Sequence, residues 1–251
     1  MDAVFQSRNP ALEEAIVRDP DDLASYAVYG DWLGEQGDPR GELIATQLAA
    51  AATDDAEMRR AALRVFARHR EAFLGELADT IAAEAFTWRA GFIQRAKLSH
   101  DALLFVSGVR VPVTLVEVVA KLLAHPSARF LTELELGPAD RDRWRRPLGT
   151  HRAAIKRISA VAPPTLRRLA LADSTITPAL VEVLARTRFL AHLHDLDLAR
   201  CQLGGGALRA LLEHADHFAH LARFALSASH LGPAAPARLA NALPGLVLEK
   251  L

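Results

Sequence analysis

Apolar residues recur at the same spacing in three stretches of this chain. Leu166, Leu169, Leu171 and Ile176 fill positions one, four, six and eleven of the first. Leu193, Leu196, Leu198 and Leu203 do so in the second, and Leu221, Phe224, Leu226 and Leu231 in the third. A small residue stands at position nine of each: Ser174, Cys201 and Ser229. The first positions lie 27 and then 28 residues apart. Alternation over positions one to six predicts a short strand with one buried face. Helical periodicity then predicts a helix in each unit, over 178–186, 206–213 and 233–242. Weaker copies of the strand pattern precede them, at Leu131, Leu134 and Leu136 and at Ile93, Ala96 and Leu98. Helices are predicted over 114–123 and 150–162, the second stopped by Pro163 and Pro164, and residues 246–251 read as a last strand.

The first 85 residues carry helical spacing only. One helix is expected from Pro10 to Arg18 and a second behind Asp21 or Asp22, closed by Gly37. A third starts with Asp38 as N-cap and Pro39 at the first helical position. A last long helix is expected to run from Asp54 or Asp55 through Phe66 to Phe73. Trp32 reads as a core anchor, and Arg40 with Glu42 as a surface or inter-helix ion pair.

The three stretches resemble the leucine-rich repeat, whose template is L-x-x-L-x-L-x-x-N/C-x-L, and a full helix per 27–28 residues is similar to its ribonuclease-inhibitor subtype. The segment holding Asp31, Trp32, Leu33, Glu35, Gly37, Asp38, Pro39, Gly41, Glu42, Leu43 and Ile44 resembles the bacterial repeat-companion domain, a helical unit that precedes such arrays. That likeness covers roughly residues 10–50 and brings no catalytic residues with it. Together they imply an α/β leucine-rich-repeat solenoid. Its parallel strands would line a concave face and its helices a convex one, behind an N-terminal all-α domain. The expected division is 1–85 and 86–251.

On such strands positions one, four and six face the core, so positions three and five face outward. Position three reads Arg95, Glu133, Arg168, Asp195 and Arg223; position five reads Lys97, Glu135, Ala170, Asp197 and Ala225. Strands stacked in sequence order would alternate charge along the row. That alternation suits a protein partner or a self-contained ladder, and it disfavours nucleic acid, whose phosphates call for one sign. The 30 basic and 30 acidic residues leave no net charge to argue otherwise. A charged run over 140–146, with Trp144 among arginines, adds the composition that interface hot spots favour. The expected contact residues are therefore the charged members of both rows together with Trp144.

With 51% hydrophobic and 24% charged residues the chain is expected to fold. A lone cysteine, no signal-like start and no apolar run of membrane-spanning length predict a cytoplasmic protein without a membrane partner. Cys201 invites a nucleophile reading because His194 and Asp195 are near, yet position nine is a buried turn site. His214, His217 and His220 are spaced by three, but no cysteine or carboxylate completes a metal set. Gly204, Gly205 and Gly206 lack the lysine of a phosphate loop. No catalytic, cofactor or metal residue is expected. The function expected is a non-enzymatic protein-interaction module, or alternatively an accessory or inhibitory subunit of a partner enzyme. The 246–251 strand offers an edge for self-association.

Overall fold

A computed structural model describes residues 7–99, 114–137, 151–229 and 231–250, and the backbone of 105–106, 109–110, 140–141 and 147–148. The chain opens with α1 (Pro10–Arg18), α2 (Leu23–Glu35), α3 (Arg40–Thr53), α4 (Ala56–Arg68) and α5 (Arg70–Leu74). Then come β1 (Phe86–Arg89), β2 (Phe92–Leu98), the two-residue strands β3 (Phe105–Val106) and β4 (Val109–Arg110), α6 (Leu115–Ala124) and β5 (Glu133–Leu136). Next are the short strands β6 (Asp140–Arg141) and β7 (Pro147–Leu148), α7 (Arg152–Val161), β8 (Arg168–Leu171), β9 (Thr175–Ile176) and α8 (Pro178–Ala185). The remainder is β10 (Asp195–Leu198), β11 (Gln202–Leu203), α9 (Ala207–Glu213), α10 (Ala215–Phe218), β12 (Arg223–Ser227), α11 (Ala235–Ala242) and β13 (Leu246–Glu249).

One α/β sheet organises the molecule, in the order β1-β2-β5-β8-β10-β12-β13. Its strands run parallel except β1, which forms an antiparallel hairpin with β2. The strands of this sheet therefore follow one another in chain order, each parallel neighbour being reached through at least one helix. Ala96, Leu134, Leu169, Leu196, Phe224 and Leu246 stand side by side in register. Because their side chains point to one face, all but Leu246 are essentially buried, in one core with Val118, Ile155, Leu180, Leu211 and Leu239 from the helices. The helices α6, α7, α8, α9 and α11 touch one another in the same sequence. Fully burying one such leucine contributes roughly 1.5–3 kcal/mol, so the spaced leucines drive the layering. Phe224 takes leucine's place in this row, and Phe218 stacks on it at 5.5 Å.

The helix starts follow their caps. Asp22 accepts the Ala24 and Ser25 amides, Thr177 that of Leu180, and Thr114 forms a capping box with Glu117. Asp38 behaves as expected chemically, accepting the Arg40 N–H at 2.9 Å, although regular helix begins only at Arg40. α2 and α3 cross backbone to backbone. A Cβ on Gly41 would lie 2.6 Å from both the Gly30 carbonyl oxygen and the Gly34 nitrogen, so only glycine permits that approach.

Three expectations need correction. The long helix through Phe73 is broken at His69, whose ψ of 24° leaves α4 and α5 as separate segments. Arg40 is not at the surface: it is 3% exposed. Ala225, placed on the outward row, is 0% exposed, covered despite facing away from the leucines. Among the described residues no helix is long and apolar enough to cross a membrane.

Candidate functional site

The outward rows meet as expected from their sequence positions. Arg95 pairs in register with Glu133, Glu133 with Arg168, Arg168 with Asp195 and Asp195 with Arg223. Lys97, Glu135, Ala170, Asp197 and Ala225 form the parallel row two residues on. At the β2 end the pairs are simple: Arg95 meets Glu133 at 2.6 Å and Lys97 meets Glu135 at 3.1 Å. Towards the middle they become a mesh. Arg168 lies 3.8 Å from Glu133, 3.5 Å from Asp195 and 3.2 Å from Asp197. Arg223 reaches Asp195 at 3.0 Å, Asp197 at 3.1 Å and Glu249 at 2.5 Å, tying three strands together.

Arg200, Asp173 and Glu249 belong to this mesh and were not singled out from sequence. Arg200 contacts Asp173 at 2.8 Å and Glu135 at 3.4 Å. Arg200 and Asp173 both occupy position eight, the turn after the strand, so the repeat alignment itself held their signal. Counting the named groups, five cations face six carboxylates, which leaves the face nearly neutral. Burial would raise the Asp197 carboxyl, but the Ala199 N–H and the Arg223 and Arg168 guanidiniums outweigh it and hold its pKa below the ordinary value.

Exposure grades along the face. The Arg95 and Lys97 side chains are 50% and 55% exposed, whereas those of Asp195 and Asp197 are 21% and 18%. The β2 end is thus the part whose charges a partner can reach at little desolvation cost, and the β10 centre is chiefly bonded to its own neighbours. Trp144, placed among the contact residues, lies outside the described residues, as does most of the 140–146 run.

Two buried polar clusters lie elsewhere. Arg40 sits between two rings, its Cζ 5.0 Å from the Phe92 centroid and 5.9 Å from that of Phe73. It donates to Ser127 Oγ at 2.9 Å, and Ser127 in turn donates to the Phe73 carbonyl at 2.6 Å. Burial lowers its pKa. Glu13, also buried, accepts from Tyr29 at 2.9 Å, Arg129 at 2.7 Å and Arg8 at 2.6 Å. Both clusters bind the first helices to the segment preceding β5, so their chemistry is accounted for by holding elements together.

Cys201 donates through Sγ to the Leu171 carbonyl at 3.2 Å, and burial pushes its pKa up to about 12. A thiol so held is a turn fastener rather than a thiolate. The ring nitrogen of His220 is 2.8 Å from the Leu190 carbonyl oxygen, which gives it a structural bond, and His214 and His217 are ring neighbours at 5.9 Å. His230 lies outside the described residues. Among the described residues no group of three His, Cys, Asp or Glu side chains is arranged to hold a metal ion. Gly206, at φ +78°, supplies the turn into α9.

Set against known proteins, the chain matches no family model, no curated protein and no solved structure. The class that fold and face define is an α/β chain with an ordered, mostly parallel sheet and a charged open face.

Proposed function

We propose that this chain is a leucine-rich-repeat solenoid of the ribonuclease-inhibitor-like subtype, 86–251, preceded by a helical repeat-companion domain, 1–85. Its proposed role is that of a non-enzymatic, cytoplasmic module that binds a protein partner through the charged strand face. The observation that carries the reading is the register-matched row of alternating charge from Arg95 to Arg223, with Lys97, Glu135 and Asp197 beside it, on strands whose other face is the core. Successive strands from β2 to β10 each present two side chains on one open surface, and β12 presents Arg223, which is the arrangement stacked repeats use for macromolecular contact. Near-neutrality of the rows favours a protein of mixed charge over nucleic acid or an anionic membrane.

The graded exposure divides the labour. Arg95, Lys97 and the exposed part of Arg168 engage the partner, while Asp195, Asp197 and Arg223 keep the strands in place. Affinity capture from the native cell tests this, comparing the wild type with a double variant, Arg95→Gln and Lys97→Gln, which removes both charges without setting like charges opposite Glu133 and Glu135. The double variant is expected to lose a stoichiometric partner while its Tm stays within about 2 °C, a surface-substitution effect. Undiminished capture, or no stoichiometric protein on the wild type, removes the reading. An accessory or inhibitory subunit remains the same proposal in narrower form, distinguished by a change in the captured partner's activity.

A further inference from the structure

We propose that the pocket off the C-terminal ends of α6 and α7 binds a small amino acid, its carboxylate at Arg8 and Arg129 and its ammonium at the helix-end carbonyls. The pocket has a volume of about 370 Å³, a size that suits a small molecule. α6 and α7 pack against each other and end at Ala124 and Val161. Both of these last residues line the pocket. So do the residues that follow them, His125 and Pro126 after α6 and Ala162 to Pro164 after α7. The pocket therefore lies where both helices leave their last carbonyls without intrahelical partners. Arg8 and Arg129 complete the wall, and no carboxylate lines it.

Arg8 and Arg129 both pair with Glu13, at 2.6 and 2.7 Å, so two guanidiniums meet one carboxylate. Burial would raise the Glu13 carboxyl, but Arg8, Arg129 and Tyr29 outweigh it and keep it ionised. One positive charge is left over, which suits a monoanion. The pairing holds α1 in place without using every donor. Arg129 bonds only through Nη1, to Glu13, Tyr29 and the Ser7 carbonyl, and Arg8 only through Nε and Nη2. The Nε and Nη2 of Arg129 have no acceptor among the described residues and are not sealed in the interior. That free edge is the one a guanidinium offers to a carboxylate in a bidentate pair. The backbone offers the reverse. The N–H groups of His125 and Ala162 are bonded to the Leu122 and Ile158 carbonyls, and Pro126, Pro163 and Pro164 have none. By contrast, the carbonyls of Leu123, Ala124, Val161 and Ala162 accept no hydrogen bond among the described residues. Helix ends of this kind favour a cation. A ligand with one charge meets half of the site, and an amino acid meets both halves. Its carbon frame rests on Leu123 and on Val161, which is 39% exposed.

This inference is independent of the strand face, and its failure leaves that proposal standing. The test is calorimetric titration of the full-length chain with L-leucine, γ-aminobutyrate and ε-aminohexanoate, which hold their two charges at increasing separation. Hexanoate and hexylamine, each lacking one of the charges, are the controls. One or more of the amino acids is expected to bind, and both controls roughly tenfold or more weakly. Arg8→Gln removes a cation whose side chain is 63% exposed and is expected to weaken the best amino acid roughly tenfold, while Arg8→Lys retains most of the affinity. Val161→Trp fills the pocket without altering its charge and is expected to abolish binding. Circular dichroism checks that the variants stay folded. The proposal is overturned if none of the three amino acids binds up to about 10 mM. It is equally overturned if hexanoate or hexylamine binds as tightly as the best of them, or if Val161→Trp leaves binding unchanged.

Discussion

Arg40 illustrates how a single charge is accommodated by geometry rather than by an opposing carboxylate at close range. Its guanidinium is wedged between Phe92 and Phe73, held by Ser127, and balanced electrostatically by Asp38, itself 3% exposed. One oxygen of Asp38 and the Nε of Arg40 lack hydrogen-bond partners among the described residues. Removing the cation alone strands the buried acid, so Arg40→Ala is expected to cost about 3–5 kcal/mol. The double variant Arg40→Met with Asp38→Asn removes both charges and keeps the volume, and should recover most of that loss. Urea denaturation of the two variants checks the difference. His125 offers a second residue-scale prediction. Burial lowers its pKa to about 4, assisted by the nearby Arg40 charge, and its unprotonated Nδ1 accepts the Ser127 N–H at 3.2 Å. The unfolded chain therefore takes up a proton below the ordinary value of 6.5 while the folded chain does not until about 4. Stability is full above that window and falls as pH drops through it, because the unfolded state binds more protons there. Burial shifts His151 in the same direction. Melting curves across the window should show His125→Asn with a shallower slope than the wild type; parallel slopes would refute the assignment.

Among the elements, the strands were the most legible. A leucine at positions one, four and six requires only alternation, and the register of β5, β8, β10 and β12 follows once each strand buries the same face. The alternating charges of the outward rows were legible for the same reason. What the sequence did not disclose depended on contacts between distant residues. Burial of Arg40 needs Phe73 and Phe92, which lie far along the chain. The first strand of the hairpin, β1, is four residues with a half-buried pattern, too short for periodicity to register. The break at His69 follows no proline or glycine, and Arg200 and Glu249 join the mesh only because long side chains reach across strands. The mesh carries an element-scale prediction. Arg223 serves three carboxylates on two neighbouring strands, whereas Arg95 serves one at an exposed end. Arg223→Ala should therefore lower stability by about 1–2 kcal/mol, partly masked in high salt, and Arg95→Ala by no more than about 0.5 kcal/mol. Thermal melts in low and in molar salt measure both; equal losses would mean that the mesh does not hold the sheet.

For the molecule as a whole, the decisive property is that one core runs from Leu74 to Leu243 while each layer touches chiefly its neighbours in sequence. On the proposed repeat reading, stability is close to a sum of layer terms and nearest-neighbour terms, so opening proceeds from wherever burial is thinnest. Burial is thinnest at β13. Val247 is 40% exposed there and Leu246 and Leu248 are only partly covered, whereas Leu196 and Leu198 of β10 are essentially inaccessible. At the other side the stack is braced: Asp21 with Arg89 and Arg167 ties the α1–α2 connection to strand ends, and Glu13 with Arg129 and Arg40 with Ser127 pin the first helices to the segment preceding β5. Native-state hydrogen exchange should accordingly grade along the sheet, with β8 and β10 amides opening only with the whole protein and β13 amides by local opening. Leu243→Ala creates a cavity beneath the last layers and costs about 2–5 kcal/mol locally. It is expected to raise exchange in β12 and β13 while leaving β5 almost unchanged. A uniform rise across all strands would show instead that the layers open together, with the bracing of the first helices transmitted through the entire sheet.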